Sequence, residues 1–123
     1  MTDASRAQQR VLVVEDEVLI RMLLEDMLAD LGYEVAAAVG TLDEASTLAA
    51  GDGFSAAILD VNLDGKEIYP VADILSARGL PFIFVTGYGE RALPEPYRDR
   101  PTLPKPFQAE QLQAALAGLL ATA

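Results

Sequence analysis

Four pieces of the chain place a charged or hydroxyl side chain directly after a short apolar run. Glu15-Asp16 follows Val11-Leu12-Val13-Val14, Asp60 follows Ala57-Ile58-Leu59, Thr86 follows Phe82-Ile83-Phe84-Val85, and Lys105-Pro106 follows Thr102-Leu103. Short apolar runs of this kind read as buried strands. In an open parallel sheet the carboxyl ends of the strands border one crevice. Three acids, a hydroxyl and an ammonium would then converge although many residues separate them. Grouped carboxylates repel one another unless a hard cation binds them, and Mg²⁺ takes a few carboxylate oxygens together with water and phosphate oxygens. With Lys105 as compensating charge, the crevice is suited to a metal ion and a phosphoryl group.

Each feature taken singly has a plainer meaning. A buried strand ends in a polar residue because it reaches the surface, an acidic pair favours the amino-terminal end of a helix, and Thr86-Gly87 is compatible with a turn. The argument for chemistry rests on the combination.

The elements that must position these residues follow from periodicity. Apolar runs alternate with helical patterns, the signature of βαβ units and a parallel sheet. Strands are predicted at about 10–15, 33–38, 56–60, 82–86 and 101–104. A helix over about 17–31 carries Ile20, Leu23, Leu24, Met27, Leu28 and Leu31 at helical spacing, and Gly32 stops it. Thr41 with Glu44 reads as a capping box for a helix to about Ala50, broken by Gly51-Asp52-Gly53. Ile68, Val71, Ala72 and Leu75 line a third helix closed by Gly79, and Leu112, Leu116, Leu119 and Leu120 line a last one from about 108. Pro94 and Pro96 remove backbone donors between Glu90 and Arg100, so the helix expected there is short, distorted or mobile.

At 123 residues the chain fits a single domain, with 1–9 as a flexible tail and 10–123 as the folded unit. A net charge of -10 argues against nucleic acid and against anionic membrane surfaces. Neither cysteine nor histidine is present, which removes thiolate chemistry and the usual zinc and copper sites and leaves oxygen-ligand metals. The polar start has no apolar signal region, and no apolar stretch reaches membrane-spanning length, so a cytoplasmic location is expected. No exposed apolar stripe is evident that would name an interface.

Taken together, Glu15-Asp16, Asp60, Thr86 and Lys105-Pro106-Phe107 resemble, in order and spacing, the receiver domains of two-component response regulators. The resemblance covers about Arg10 to Leu120. It implies an α/β, flavodoxin-like, doubly wound sheet of five parallel strands in the order 2-1-3-4-5, with helices on both faces. It implies Asp60 as phosphoacceptor, with Asp16, Asp60 and the Asn62 backbone carbonyl as direct Mg²⁺ ligands and Glu15 as a ligand through water. Thr86 and Lys105 would each contact a phosphoryl oxygen. The implied donor is a histidine kinase or a histidine phosphotransfer protein, and the implied state a monomer or weak homodimer. The Lys-Pro peptide is commonly cis in that family, and the sequence alone leaves the isomer at Lys105-Pro106 open.

Two features depart from ordinary receivers. Thr102 stands three residues before the lysine, where an aromatic switch residue is usual. Phe84-Val85-Thr86-Gly87-Tyr88 is instead similar to the F-x-T-G-aromatic motif of the FAT-GUY subfamily, linked to HWE-type histidine kinases. Asp60-Val61-Asn62-Leu63-Asp64-Gly65 also lacks the proline common four residues after the phosphoacceptor. Tyr88 is therefore the candidate replacement for the missing switch.

Phosphorylation would shift a population of conformers and signal through protein interaction, and a phosphate sink or phosphorelay intermediate is the alternative role. A small phosphohydrolase with Asp60 as nucleophile is disfavoured by Asn62, where an acid-base Asp is usual in haloacid-dehalogenase motifs. A flavin or nucleotide binder is disfavoured because Glu15-Asp16-Glu17 stands where a Gly-rich phosphate loop would be needed. The complete acidic set with Lys105 argues against a degenerate scaffold.

Overall fold

The computed structural model describes residues 9–87 and 93–121. The expected tail at 1–9 and the candidate switch Tyr88 fall outside these residues, apart from Gln9.

Strands β1 (Arg10–Val14), β2 (Glu34–Val39), β3 (Ala56–Asp60), β6 (Phe82–Thr86) and β7 (Thr102–Pro104) form one sheet in the order β2-β1-β3-β6-β7. Every pairing in it is parallel. This is the expected 2-1-3-4-5 arrangement, with β6 and β7 as the fourth and fifth strands. Two minimal strands, β4 (Asn62–Leu63) and β5 (Lys66–Glu67), form a separate antiparallel hairpin after β3.

Alternation along the strands separates two cores. Val11, Val13, Ile58, Ile83 and Val85 face one side, where α1 (Val18–Asp30) contributes Leu24 and Leu28 and α4 (Ala109–Ala121) contributes Leu112 and Leu116. Leu12, Val14, Leu59, Phe82 and Phe84 face the other, against Ala45 and Ala49 of α2 (Leu42–Ala49) and Val71, Ala72 and Leu75 of α3 (Tyr69–Ala77). Strands covered on both faces have no need of polar alternation, which is why they appear in the sequence as continuous apolar runs.

The helix ends follow local chemistry. Gly32, at φ +92°, ends α1 in a left-handed conformation that lets the Tyr33 N–H reach the Leu28 carbonyl at 2.9 Å. At the start of α2 the Thr41 hydroxyl accepts from the Glu44 N–H at 3.2 Å and donates to the Glu44 carboxylate at 3.0 Å. Thr41→Ala is expected to cost about 1 kcal/mol of stability, measured by denaturant unfolding, because it strands a helix-end N–H.

The Pro-containing stretch holds a 3₁₀ turn at Glu95–Tyr97 among its described residues, in keeping with the expected short or irregular fourth helix. Tyr97 anchors this turn: its ring packs with Tyr69, Phe82 and Phe84, and its hydroxyl donates to the Asp73 carboxylate. Burial, then this contact, pushes the Tyr97 hydroxyl up to about 12.

The hairpin β4–β5 was not anticipated, although its Asp64-Gly65 tip is a favoured sequence for tight turns. Nor was an exposed apolar stripe, yet α1 presents Val18, Leu19, Met22 and Leu23 to solvent, Leu19 at 81% exposure. Of the six apolar positions read at helical spacing, Leu24 and Leu28 are buried and Ile20, Met27 and Leu31 pack against the same core, whereas Leu23 turns outward.

Candidate functional site

Strand order brings the separated acids together. β1 and β3 are adjacent, with Val14 opposite Leu59, so the residues that follow them leave the sheet side by side. Glu15 keeps its backbone in the ladder through its N–H to the Val39 carbonyl at 2.9 Å. Glu15, Asp16 and Asp60 each offer a carboxylate oxygen, and these lie within 4.8 Å of one another. Glu15 is fully buried and Asp60 is 3% exposed. Such burial of charged carboxylates is costly unless they are paired or bind a metal.

Lys105 supplies the pairing. β6 and β7 place it beyond Pro104, its backbone N–H donates to the Thr86 carbonyl at 2.8 Å, and the peptide bond to Pro106 is cis. Its ammonium lies 3.0 Å from Glu15 Oε1 and 3.3 Å from Asp60 Oδ2, and 3.9 Å from Glu17. The Glu15 contact is ionic without the geometry of a directed hydrogen bond, so this buried oxygen retains capacity for another positive partner.

Backbone donors fix the other oxygens. The Glu17 N–H donates to Glu15 Oε2 at 3.0 Å, the Asn62 N–H to Asp60 Oδ1 at 3.3 Å, and the Asp64 N–H to Asp16 Oδ2 at 2.9 Å. Arg21 Nη1 donates to the Glu15 carbonyl at 2.9 Å and braces the β1–α1 turn. Neither the Arg21 brace nor the Asp64 donor was read from the sequence. The spacing of Glu17 and Arg21 on one helical turn and the Asp64-Gly65 turn were the available signals.

The charges perturb one another. Burial, followed by the neighbouring Glu15 charge, raises the Asp60 carboxyl to about 8, against the opposing pull of Lys105 and the Asn62 N–H. Burial works against the Lys105 ammonium, but Glu15 and Asp60 outweigh it and hold its pKa above the ordinary lysine value. Three acids facing one ammonium leave net negative charge in a confined space, and the donors are all oxygens. That set fits Mg²⁺, which prefers carboxylate oxygen and retains water.

A cavity of about 590 Å³ opens onto these groups. Asp16, Asp60, Asn62, Asp64 and Lys105 form its polar side, and Ile20, Leu23, Pro106 and Phe107 its apolar side. Thr86 stands at the carboxyl end of β6, half-buried, and Gly87 beside it lines the cavity. Thr102 lies at the other end of the sheet edge, exposed and opposite Phe84, away from the cavity lining.

Residues 11–117 match the response regulator receiver domain family. The chain belongs to that family. This receiver is 38% identical over 120 residues to the transcriptional regulatory protein PdtaR of Mycobacterium tuberculosis, a match covering 94% of this chain and 58% of that protein. It therefore spans little more than half the length of this curated relative.

Among solved structures, SdrG from Sphingomonas melonis Fr1 superposes with a TM-score of 0.83 at 44% identity, covering 93% of this chain and 98% of the other. The receiver domain of a Pseudomonas aeruginosa PAO1 sensor histidine kinase superposes with a TM-score of 0.77 at 26% identity, over 92% of this chain and 98% of that one. That relative holds a magnesium ion coordinated in its active-site cleft. Receiver domains bind Mg²⁺ at an acidic pocket and interact with kinases or phosphotransfer proteins, and the described residues of this chain include an acidic cluster of Glu15, Asp16 and Asp60. Among the described residues no helix is long and apolar enough to cross a membrane.

Proposed function

We propose that this receiver accepts a phosphoryl group on Asp60 from a phosphohistidine of a histidine kinase or histidine phosphotransfer protein, in a Mg²⁺-dependent reaction, and signals through phosphorylation-dependent protein interaction. The observation that carries this reading is the state of the Asp60 carboxylate. It is nearly buried yet borders an open cavity, with one oxygen held by the Asn62 N–H and the other by Lys105.

An Asp60 oxygen forms the new P–O bond as the donor's P–N bond breaks, and the departing imidazole takes up a proton from solvent. The loose transition state spreads negative charge over the phosphoryl oxygens, so catalysis is chiefly positioning and charge stabilisation. Asp16, Asp60 and the Asn62 carbonyl would hold Mg²⁺, with Glu15 reaching it through water. The bound ion would offset the repulsion between carboxylate and phosphoryl oxygens. Lys105 is placed to follow one phosphoryl oxygen, and the Thr86 hydroxyl is assigned the other. Because the Lys105 N–H is tied to the Thr86 carbonyl, displacement of either strand end is felt by both.

The donor protein reaches Asp60 past Leu23, which lines the cavity and is exposed beside Leu19 and Met22 on α1. This apolar skin is the surface on which we place the donor. Thr86-Gly87-Tyr88 supports assignment to the FAT-GUY subfamily and an HWE-type kinase as donor. A solved BeF₃-activated conformation of SdrG, 45% identical to this chain, supports switching by the same chemistry.

Incubation with a small acyl phosphate and Mg²⁺, followed by intact mass, tests the reaction. One phosphoryl group per chain is expected, at Asp60, and none when EDTA removes the metal. Phosphoryl uptake at another residue, or uptake indifferent to Mg²⁺, would reject the assignment.

A further inference from the structure

The β4–β5 hairpin touches both proposed metal-binding aspartates, and it does so through its backbone. At its base the Asn62 N–H donates to Asp60 Oδ1, and at its tip the Asp64 N–H donates to Asp16 Oδ2 at 2.9 Å. One side chain joins the two contacts: Asn62 Oδ1 accepts from the Gly65 N–H at 2.7 Å across the turn. We propose that Asn62 is a positioning residue, whose side-chain carbonyl closes the Asp64-Gly65 turn and thereby aims the Asp64 N–H at Asp16, a carboxylate that Asn62 itself does not contact.

The backbone of the tip explains why a clamp is needed. Asp64 has φ +52° and Gly65 φ +88°, so two successive residues sit in the left-handed region. Glycine adopts this freely, but for Asp64 it is unfavourable and must be held in place. The base of the hairpin is secured independently. Leu63 is 2% exposed in the core under α3, Leu63 pairs with Lys66, and the Ile68 N–H donates to the Val61 carbonyl at 3.0 Å. Asn62 is exposed, as are Asp64 and Gly65, so packing does not fix the tip. The 2.7 Å hydrogen bond is therefore the contact that sets its shape.

Asp16 gains a fixed oxygen from this arrangement. Its carboxylate is half-buried beside two other acids, and an unheld carboxylate there would rotate away from them to reduce repulsion. With Oδ2 tied to the Asp64 N–H, the carboxylate stays in the cluster before any cation arrives. Groups one step removed from a metal that orient its ligands commonly alter affinity by about tenfold or more.

The inference rests on Asp16 and Asp60 being metal ligands, as proposed above, and its test includes a measurement made without metal. Amide exchange of Asp64 and Gly65 and the carboxyl carbon shift of Asp16 are followed by NMR in metal-free wild type, Asn62→Ala and Asn62→Asp. Mg²⁺ affinity is then measured by calorimetry and unfolding by thermal melt. Asn62→Ala is expected to speed Asp64 exchange and move the Asp16 carboxyl shift, and to weaken Mg²⁺ binding about tenfold with little change in melting temperature. Asn62→Asp keeps an acceptor for Gly65 and is expected to retain wild-type Asp64 exchange.

Unchanged Asp64 exchange or Asp16 shift in Asn62→Ala overturns the proposal, as does faster exchange with unaltered Mg²⁺ affinity. Rapid Asp64 exchange in Asn62→Asp does the same. A wild type that binds no Mg²⁺ sinks the proposed function instead, and the metal-free Asp64 and Asp16 signals then decide this inference alone.

Discussion

Asp60→Asn is expected to abolish phosphoryl uptake and, at the same time, to make the metal-free fold more stable. The first effect follows from chemistry, since the amide oxygen is a poor nucleophile and cannot form the acyl phosphate. The second follows from the electrostatics of the cluster. Asp60 shares its surroundings with buried Glu15, and the single nearby ammonium of Lys105 serves both. At neutral pH wild-type Asp60 must take up a proton on folding to avoid a second buried charge beside Glu15, whereas asparagine is neutral in both states, preserves the shape and leaves the Glu15–Lys105 pair balanced. Relief of that cost is worth on the order of 1–2 kcal/mol at neutral pH.

The pH dependence gives the same prediction a sharper form. Folded Asp60 keeps its proton up to about 8, whereas an ordinary aspartate releases it near 3.8. Across that window the folded chain binds more protons than the unfolded one, so the Asp60 contribution to stability is full below the window and is lost as pH rises through it. The difference in stability between Asp60→Asn and wild type should therefore grow from pH 4 towards 8 in EDTA. Saturating Mg²⁺ should erase the trend by stabilising the ionised wild type. Urea melts at several pH values measure it, and a difference that stays flat with pH would show that Asp60 is not strained in the metal-free fold.

Much of the fold was legible because the same property that buries a strand on both faces also makes it visible. Ala56 to Leu59 and Phe82 to Val85 are wholly buried and stand out as apolar runs, and the polar residue ending each run marks the rim of the sheet. Glu15, Asp60 and Lys105 are thus assigned to one rim by the strand pattern of the sequence. Lys105 lies within 3.3 Å of both carboxylates.

What escaped the sequence depends on contacts between distant residues or on backbone donors. Helical periodicity found the apolar positions of α1 but could not divide them between core and cavity, and Leu23 is the one that lines the cavity in the open. The Asp64 N–H is invisible in a reading of side chains, although it holds Asp16. Tyr97 was unremarkable in a proline-rich stretch, and only the fold brings it to Tyr69, Phe82, Phe84 and Asp73. Thr102, read as the vacant place of an aromatic switch, proves to be an exposed strand residue, and the described aromatic nearest the Thr86 strand on that face is Tyr97, packed 5.5 Å from Phe84.

Lys105→Met should separate two properties that simple damage to the site would lower together: Mg²⁺ binding becomes tighter while phosphoryl uptake becomes slower. Methionine approximates the lysine stem but deletes the charge lying 3.0 Å from Glu15 and 3.3 Å from Asp60. A divalent ion entering the cluster then meets no competing cation. Unit charges about 4 Å apart interact by about 4 kcal/mol at an effective dielectric of about 20. After screening through the open cavity, a gain on the order of tenfold in Mg²⁺ affinity is a conservative expectation.

The metal-free fold should lose about 2–3 kcal/mol at neutral pH, less than for a fully enclosed pair because Lys105 retains solvent contact and Asp60 can keep its proton. Added Mg²⁺ should restore that loss. Phosphoryl uptake at saturating Mg²⁺ should nevertheless fall by roughly 10²-fold, since a positioned donor to the developing charge is missing. Calorimetric Mg²⁺ titration and phosphorylation rates on the same preparation provide the comparison. Weaker metal binding accompanying slower transfer would mean that Lys105 holds the site together structurally, and that its ammonium is not the group that meets the phosphoryl oxygen.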